Sequence, residues 1–263
     1  MPTLYELFTA TPTLVTLALF ASLALWEAIA PARPLPRVPG WHARGLLAFM
    51  VFFLLSSYLP WLWAAQFSAW QLFDLSGLPS WAAALIGLLV YEAGVYVWHR
   101  SMHRSDRLFR WFHQMHHSAE RLDVYGAFWF SPLDMVGWIV IGSASLVLIV
   151  GVPAEAAVWV GYATTLMAVF QHTNVNTPRW LGYLVQRPEA HSYHHGRGIH
   201  DGNFCDLPVF DLAFGSFHNP AGFVPQQGFW DGASARLLDM LALRDVSRPP
   251  ADRDATQPMP VVR

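Results

Sequence analysis

The stretch WHRSMHRSDRLFRWFHQMHHS (98–118) carries five histidines at helical spacing and decides how the rest of the chain is interpreted. Two of them are four residues apart, and the other three form an HxxHH motif ten residues later: His99, His103, His113, His116 and His117. Residues three and four apart share one face of a helix. Each motif therefore predicts a set of imidazoles aimed at one point.

A second group of histidines follows downstream. His191, His194 and His195 form another HxxHH motif, and His172 directly follows an apolar run. Nine imidazoles exceed the needs of one tetrahedral zinc, so the count favours two metal ions. Imidazole suits zinc, copper, nickel and iron alike, so the ligand type does not choose the metal. His200, five residues beyond His195, is either a tenth ligand or a residue that supports one.

Long apolar runs surround these motifs. The 263 residues are 54% hydrophobic and 13% charged, whereas about a quarter of the residues in soluble domains are charged. Runs long enough to cross a bilayer lie near 14–30, 46–65, 81–98, 135–152 and 153–170. The first run follows Glu6 rather than a basic segment, which favours a retained span over a signal peptide. We predict an all-α polytopic transmembrane bundle with a helical cap that carries a His-rich di-metal site.

The positive charges give this bundle an orientation. All 16 basic side chains are Arg, and five spans place every one of them on a single side of the membrane. The loop 66–80 on the other side contains Asp74 and no Arg. This asymmetry predicts a cytoplasmic His site and C-terminus, with the N-terminus outside, in the inner membrane. The net charge of −2 gives no basic surface for nucleic acid.

The end of the chain has a different composition. Residues 246–263 contain four Pro and three Arg with little apolar content. This composition predicts a disordered cytoplasmic tail after a membrane domain at 1–245.

Five short stretches make the chain similar to a known group of enzymes. It resembles the fatty acid hydroxylase/sterol desaturase superfamily over about 81–217. The stretches are WHRSMHR (98–104), FHQMHHS (112–118), FQHTN (170–174), HSYHH (191–195) and NFCDLPVFDLAFGSF (203–217). Cys205, Phe210 and Ser216 in the last stretch depart from the usual Gly, Trp and Thr.

The resemblance implies a membrane-embedded di-iron oxygenase. Its cofactors are two iron ions, which zinc can replace on overexpression, and O2 is the co-substrate. The substrate is a lipid such as a fatty acyl chain or sterol, and hydroxylation is favoured over desaturation. The chain has no Gly-x-Gly-x-x-Gly fingerprint and no cysteine cluster, so a ferredoxin or cytochrome is expected to supply electrons. The implied ligands are His99, His103, His113, His116, His117, His172, His191, His194 and His195.

Several other polar residues have two interpretations each. Glu92, the ionisable group inside the third run, either orients a ligand histidine or packs against another helix. Asn174 either holds a metal-bound water or belongs to a turn. Asp134 is predicted to cap the fourth run. Three acids after the last motif either accept from ligand histidines or serve in caps and turns: Asp201, Asp206 and Asp211.

Other functional classes fit the pattern less well. A b-type haem protein needs histidines at mid-span on facing helices, whereas these cluster at one membrane edge. A zinc hydrolase is expected to carry HExxH, which is absent from the sequence. The alternative function is a metal-binding or haem-binding membrane protein without oxygenase activity.

Overall fold

The computed structural model describes residues 1–250, and within that range the chain is helical with no strand. The α-helices are α1 (Leu4–Thr9), α2 (Thr11–Ile29), α3 (Trp41–Tyr58), α4 (Ala64–Ala69), α5 (Ser80–Arg104), α6 (Asp106–Leu108), α7 (Gln114–His117), α8 (Pro132–Ser143), α9 (Ala154–Phe170), α10 (Pro188–His194), α11 (Val209–Phe214) and α12 (Leu237–Leu241). Two π-helical segments, Phe109–His113 and Ala144–Ile149, precede α7 and extend α8. The remaining segments are short 3-10 turns: Leu59–Leu62, Val124–Gly126, Arg179–Tyr183 and Ala233–Ala235. The all-α prediction is confirmed for these residues.

Four helices are long and apolar enough to cross a membrane: Thr11–Ile29, Trp41–Leu62, Ser80–Arg104 and Pro132–Ile149. They correspond to the first four predicted runs. The fifth run forms α9, which is apolar but shorter, at 17 residues. At 1.5 Å per residue it measures about 25 Å, near the lower limit for a span.

Large apolar side chains face outward from the long helices. Leu47 on α3 is 65% exposed and Val97 on α5 is 64% exposed. A water-soluble monomer rarely displays apolar patches on such a scale. The chain is therefore a membrane protein, and the outward apolar surface is the part that lipid would cover.

Alternation of the helices brings five helix ends to the same side. Near that side lies the last turn of α2, where the Glu27 carboxylate accepts from the Asn174 backbone N–H at 2.8 Å. There α3 begins at Trp41, whose indole donates to Asp123 at 2.8 Å. The His-bearing C-terminus of α5, the N-terminus of α8 and the C-terminus of α9 complete the set. At the opposite end, the segment after α4 bonds to the backbone of Ala144–Ile149.

The cap continues into the segment predicted as tail. Val246 is buried beside Met115 and Trp129. Its backbone N–H donates to Gln114 at 3.3 Å, and its carbonyl accepts from the Trp230 indole at 2.9 Å. The predicted tail boundary at residue 246 is therefore wrong, because this valine contributes to the core. The rest of the predicted tail, from residue 251, lies outside the described residues.

Candidate metal centre

All nine predicted histidines lie together in two adjacent groups at one end of the bundle. Within each group, one ring nitrogen from every member lies within 4.8 Å of those of the others. The rings of His117 and His195, one from each group, stack with their centroids 4.2 Å apart. Group A consists of His99, His103, His113, His117 and His194. Group B consists of His116, His172, His191 and His195.

Both HxxHH motifs divide between the two groups. The outer histidines of each motif join one group and the middle one joins the other. Successive residues are roughly 100° apart around a helix, so residues four apart nearly align while adjacent residues diverge. The expectation that each motif aims three imidazoles at one point is therefore wrong. Each motif instead lies between two sites and contributes ligands to both.

Backbone carbonyl oxygens fix the tautomer of four of the nine rings. A carbonyl oxygen can only accept a hydrogen bond, so each ring bonded to one carries its proton on Nδ1. Its Nε2 then presents a lone pair to the group. The Nδ1–oxygen distances are 2.8 Å from His99 to Phe204, 2.8 Å from His103 to His200, 2.7 Å from His194 to Gly202 and 2.6 Å from His172 to Ala168.

Three of these carbonyls belong to one left-handed loop. His200, Gly202 and Asn203 have φ values of +45°, +74° and +53°. His and Asn are among the non-glycine residues that most often adopt this conformation. At Gly202 a Cβ atom would lie 2.5 Å from the His218 ring, so glycine is required there. The loop thereby turns the carbonyls of residues 200, 202 and 204 towards group A.

Side chains orient two more rings of group A. His113 donates from Nδ1 to the Asp134 carboxylate at 2.8 Å. Ser131 caps α8 by accepting from the Asp134 backbone N–H, so the predicted cap role of Asp134 is wrong. The one sequence signal for the bond between Asp134 and His113 is a carboxylate inside an apolar run. Nδ1 of His117 lies 3.0 Å from Nδ1 of His200, which favours support over ligation for His200.

The nitrogens that face into the groups fit metal ions. The Nε2 atoms of His103, His117, His194 and His195 are buried and have no hydrogen-bond partner among residues 1–250. Nε2 of His99 and Nε2 of His113 are 2.9 Å apart, although both rings donate from Nδ1. Two lone pairs at that distance repel each other, and a shared cation removes the repulsion. The two groups could each hold a metal ion.

Burial keeps these rings neutral. It lowers the pKa of His172, just beyond α9, to about 4. Neutral imidazoles keep the lone pair that a metal requires, so the site is ready to ligate at neutral pH. Burial and then the neighbouring imidazoles lower the pKa well below the usual value for His113, His116, His117, His191, His194 and His195.

An apolar cavity of about 480 Å³ leads from the histidines into the bundle. Its polar end includes His99, His116 and His191, and its walls come mainly from α5, α8 and α9. A second cavity of about 360 Å³, between α2, α3 and α9, shares Phe52 and Gly161 with the first. These volumes fall within the range of ligand-binding cavities, which is about 300–1,000 Å³.

Glu92 and Asn174 both make hydrogen bonds to the backbone of loops. Glu92 is fully buried and accepts from the backbone N–H groups of Asp206 and Leu207 at 2.9 and 3.1 Å. It thus secures the segment after the left-handed loop and makes no hydrogen bond to a histidine. Asn174 donates from its side chain to the Arg33 carbonyl at 2.7 Å, which favours the turn interpretation.

The three later acids have different partners. Asp201 accepts from the Gly202 backbone N–H, and Asp211 accepts from the Phe204 backbone N–H, both at 2.9 Å. Asp206 lines the larger cavity and accepts from Gln171 at 2.7 Å. Sequence reasoning missed Gln171 entirely, and glutamine carries no motif by which it could have been found.

Comparison with known proteins agrees with this geometry. Residues 84–216, half of the chain, match the model of the family described as fatty acid hydroxylase. The chain belongs to the fatty acid hydroxylase family. The matched range includes every member of groups A and B. No solved structure shows a significant match to the chain.

Three relatives of this chain have names that refer to lipid substrates. An ornithine lipid hydroxylase of Rhizobium tropici is 33% identical over 140 residues, covering 52% of this chain and 42% of that protein. A very-long-chain aldehyde decarbonylase of Oryza sativa is 29% identical, covering 58% of this chain and 27% of the relative. The alkylglycerol monooxygenase of Homo sapiens is 29% identical, covering 56% of this chain and 34% of that protein. The chain thus spans less than half the length of these relatives, which support a lipid-modifying oxidoreductase.

Proposed function

We propose that this protein uses two iron ions and O2 to hydroxylate a membrane lipid. The observation that carries the proposal is the position of both histidine groups at the end of an apolar cavity inside the bundle. Group A and group B would each hold one iron through Nε2 atoms. When bound, the irons would activate O2 and remove hydrogen from a substrate carbon.

The protein's own contribution would be position and exclusion of water. The backbone carbonyls of the loop at 200–204 hold three group A rings in one tautomer before metal arrives. Val95, Ile139 and Leu146 line the cavity and offer no hydrogen bond, so a hydrocarbon chain is the ligand they suit. Hydroxylation is favoured over desaturation because two of the relatives are named hydroxylase and monooxygenase.

Lipid mass spectrometry tests the reaction. Cells with the gene should contain a lipid 16 mass units heavier than its precursor, whereas desaturation would give one 2 units lighter. His99→Ala should abolish the product, and His42→Ala should not, since His42 is exposed and outside both groups. An intense haem band in the visible spectrum of the purified protein would instead favour the haem-binding alternative.

Metal analysis tests the cofactor. The purified protein should hold about two metal ions per chain, with zinc partly replacing iron after overexpression, because zinc lies above iron(II) in the affinity order. Activity should return with iron and not with zinc. A fully active zinc form would refute the oxygenase proposal.

We also propose that electrons come from a separate ferredoxin or cytochrome. Arg104 and Arg107 are exposed at the His end of the bundle, and no ion pair within residues 1–250 includes them. Two free positive charges suit an acidic carrier, and docking of this kind weakens with salt. Anionic lipid headgroups are the competing partner of the same charges.

Reconstituted turnover separates these partners. Protein, lipid and O2 alone should give no product, and adding a reduced ferredoxin should start the reaction. The double variant Arg104→Glu/Arg107→Glu should raise the carrier concentration needed for half-maximal rate, while Arg37→Glu, another exposed arginine, should not. Equal effects in vesicles with and without anionic lipid would point to the carrier, and an effect confined to anionic vesicles would point to headgroups.

The arginine distribution further supports a cytoplasmic His end with the N-terminus outside. Reporter fusions after Ala65 and after Pro249 should then report opposite sides of the membrane. Reports from the same side would contradict this orientation.

A further inference from the structure

A chain of hydrogen bonds runs from group B to the cavity wall. Nδ1 of His191 lies 2.8 Å from Nε2 of Gln186, just before α10. The same amide nitrogen donates to the side-chain oxygen of Gln171, which directly follows α9. Nε2 of Gln171 then donates to the Asp206 carboxylate at 2.7 Å. Two side chains and three hydrogen bonds thus connect a candidate ligand to a carboxyl group.

This chain of bonds has a direction. A carboxylate accepts only, so ionised Asp206 turns the Gln171 nitrogen towards itself and the Gln171 oxygen towards Gln186. Gln186 must then present its nitrogen, with one proton for Gln171 and the other for His191. Because Nδ1 of His191 accepts that proton's hydrogen bond, the neutral ring carries its own proton on Nε2.

That direction is incompatible with ligation through Nε2. The Nε2 atom of His191 lies 3.0 Å from Nε2 of His172, so it is the nitrogen that faces group B. To bind a metal there, His191 must move its proton to Nδ1 and donate it. Gln186 would have to present its oxygen, which can accept from both His191 and Gln171. The Gln171 oxygen would then face Asp206, and only a protonated Asp206 can donate to it.

We propose that Asp206, in its acid form, positions His191 for metal binding by reversing the two amides between them. The proposal rests on the metal centre proposed above. The His191 ring stays neutral throughout, because it exchanges the proton on Nε2 for one on Nδ1. Asp206 takes up one proton from solvent when group B is loaded, so the charges balance.

The surroundings of Asp206 suit an acid form. Burial raises its pKa to about 7, and the hydrogen bond from Gln171 opposes that shift. The ionisable groups that interact with it are Tyr91 and Glu92 on α5, with Asp211 acting on Glu92 from α11. No ion pair in the described part of the chain includes Asp206. Its neighbours are therefore acids, which disfavour a second negative charge.

Two isosteric variants with the same change of charge test the proposal. In Gln186→Glu, the new carboxylate accepts from both His191 and Gln171, which is the direction that ligation requires. In Gln171→Glu, the carboxylate forces Gln186 to present its nitrogen and keeps His191 in the wrong tautomer. Purified protein titrated with Co²⁺ should therefore bind two ions in wild type and in Gln186→Glu. In Gln171→Glu the second ion should bind about 10–100-fold more weakly, the usual effect of losing a ligand's partner.

Asp206→Asn supplies the second measurement. As pH rises through the pKa of Asp206, wild type should lose affinity at group B and keep it at group A, because the hydrogen bonds from Asp206 lead to His191 of group B. The asparagine amide can donate at any pH, so the group B affinity of Asp206→Asn should not decline as pH rises. Asp206→Ala should bind the second ion weakly at every pH. Failure of wild type to bind two ions would refute the metal centre. Two bound ions with equal behaviour of Gln171→Glu and Gln186→Glu would refute this inference alone.

Discussion

At the scale of single residues, the site depends on which nitrogen of each ring carries the proton. Backbone carbonyls are the acceptors for four of the nine rings, and three of these carbonyls belong to the left-handed loop at 200–204. A carbonyl cannot change its protonation state, so these rings are fixed before any metal binds. His113, His117 and His191 bond to side chains instead, and there a substitution separates orientation from ligation.

His200 offers such a substitution. His200→Ala removes the acceptor for Nδ1 of His117 but keeps the backbone carbonyl that holds His103. Affinity for the first Co²⁺ ion at group A should fall by about 10–100-fold, as for other lost partners of ligand histidines. His200→Asn is the control, because asparagine tolerates the left-handed backbone and places an accepting oxygen near the same position. Equal losses in both variants would show that His200 is itself a ligand.

At the scale of elements, α5 carries both candidate ligands and a residue that supports the loop beside them. Its last turns carry His99 and His103, and two turns earlier Glu92 secures the backbone of Asp206 and Leu207. The helix therefore fixes the loop that in turn orients its own histidines. The cavity lies along the same helix, so one element positions ligands, loop and substrate together.

Glu92→Ala should destabilise the fold rather than alter the chemistry. It leaves two buried backbone N–H groups without an acceptor, at a cost of roughly 1–3 kcal/mol each. The melting temperature of Glu92→Ala in detergent should fall by several degrees. That of Glu92→Gln should fall less, because glutamine keeps an accepting oxygen. Glu155→Ala, an exposed carboxylate at the start of α9, should melt like wild type. A stable Glu92→Ala protein without activity would instead assign Glu92 a direct role.

Gly161 on α9 is the position for testing the cavity. It lines both cavities, and a Cβ atom there would meet nothing within 4 Å. Gly161→Leu should fold normally and fill the space between the cavities. Turnover of long acyl chains should fall roughly 10-fold or more, in line with the effect of one excess group in an apolar pocket, while short chains are spared. Leu166→Phe, an exposed position on the same helix, should leave chain-length preference unchanged.

At the scale of the whole molecule, membrane helices and cap form one structure. Five helix ends meet on the His side, and the candidate ligands come from α5, the π-helical segment Phe109–His113, α7, α10 and the residues directly after α9 and α10. The cap closes through Val246, which packs beside residues of the α7 region. A chain that ends earlier would expose that contact.

Truncation tests the extent of the cap. A chain ending after Pro250 should keep its metal content and melting temperature, because the residues removed are rich in Pro and polar side chains. A chain ending after Arg244 should melt at lower temperature, since burying a valine contributes about 1.5–3 kcal/mol and two hydrogen bonds are also lost. Differential scanning fluorimetry in detergent measures both. Loss of metal from the chain that ends after Pro250 would show that residues beyond Pro250 belong to the site.

The sequence alone predicted the five long apolar helices, the family and the nine candidate histidines, because hydropathy and covalent spacing act over a few residues. It could not divide the histidines into groups, since His99 and His194 meet across 95 residues only when α5 and α10 pack together. It could not identify most of the partners of the rings, because a backbone carbonyl has the same chemistry at every position. The connection of His191 to Asp206 through two glutamines likewise exists only in the folded chain. Tertiary structure alone brings these polar groups within hydrogen-bonding distance, and that distance decides which nitrogen each ring offers.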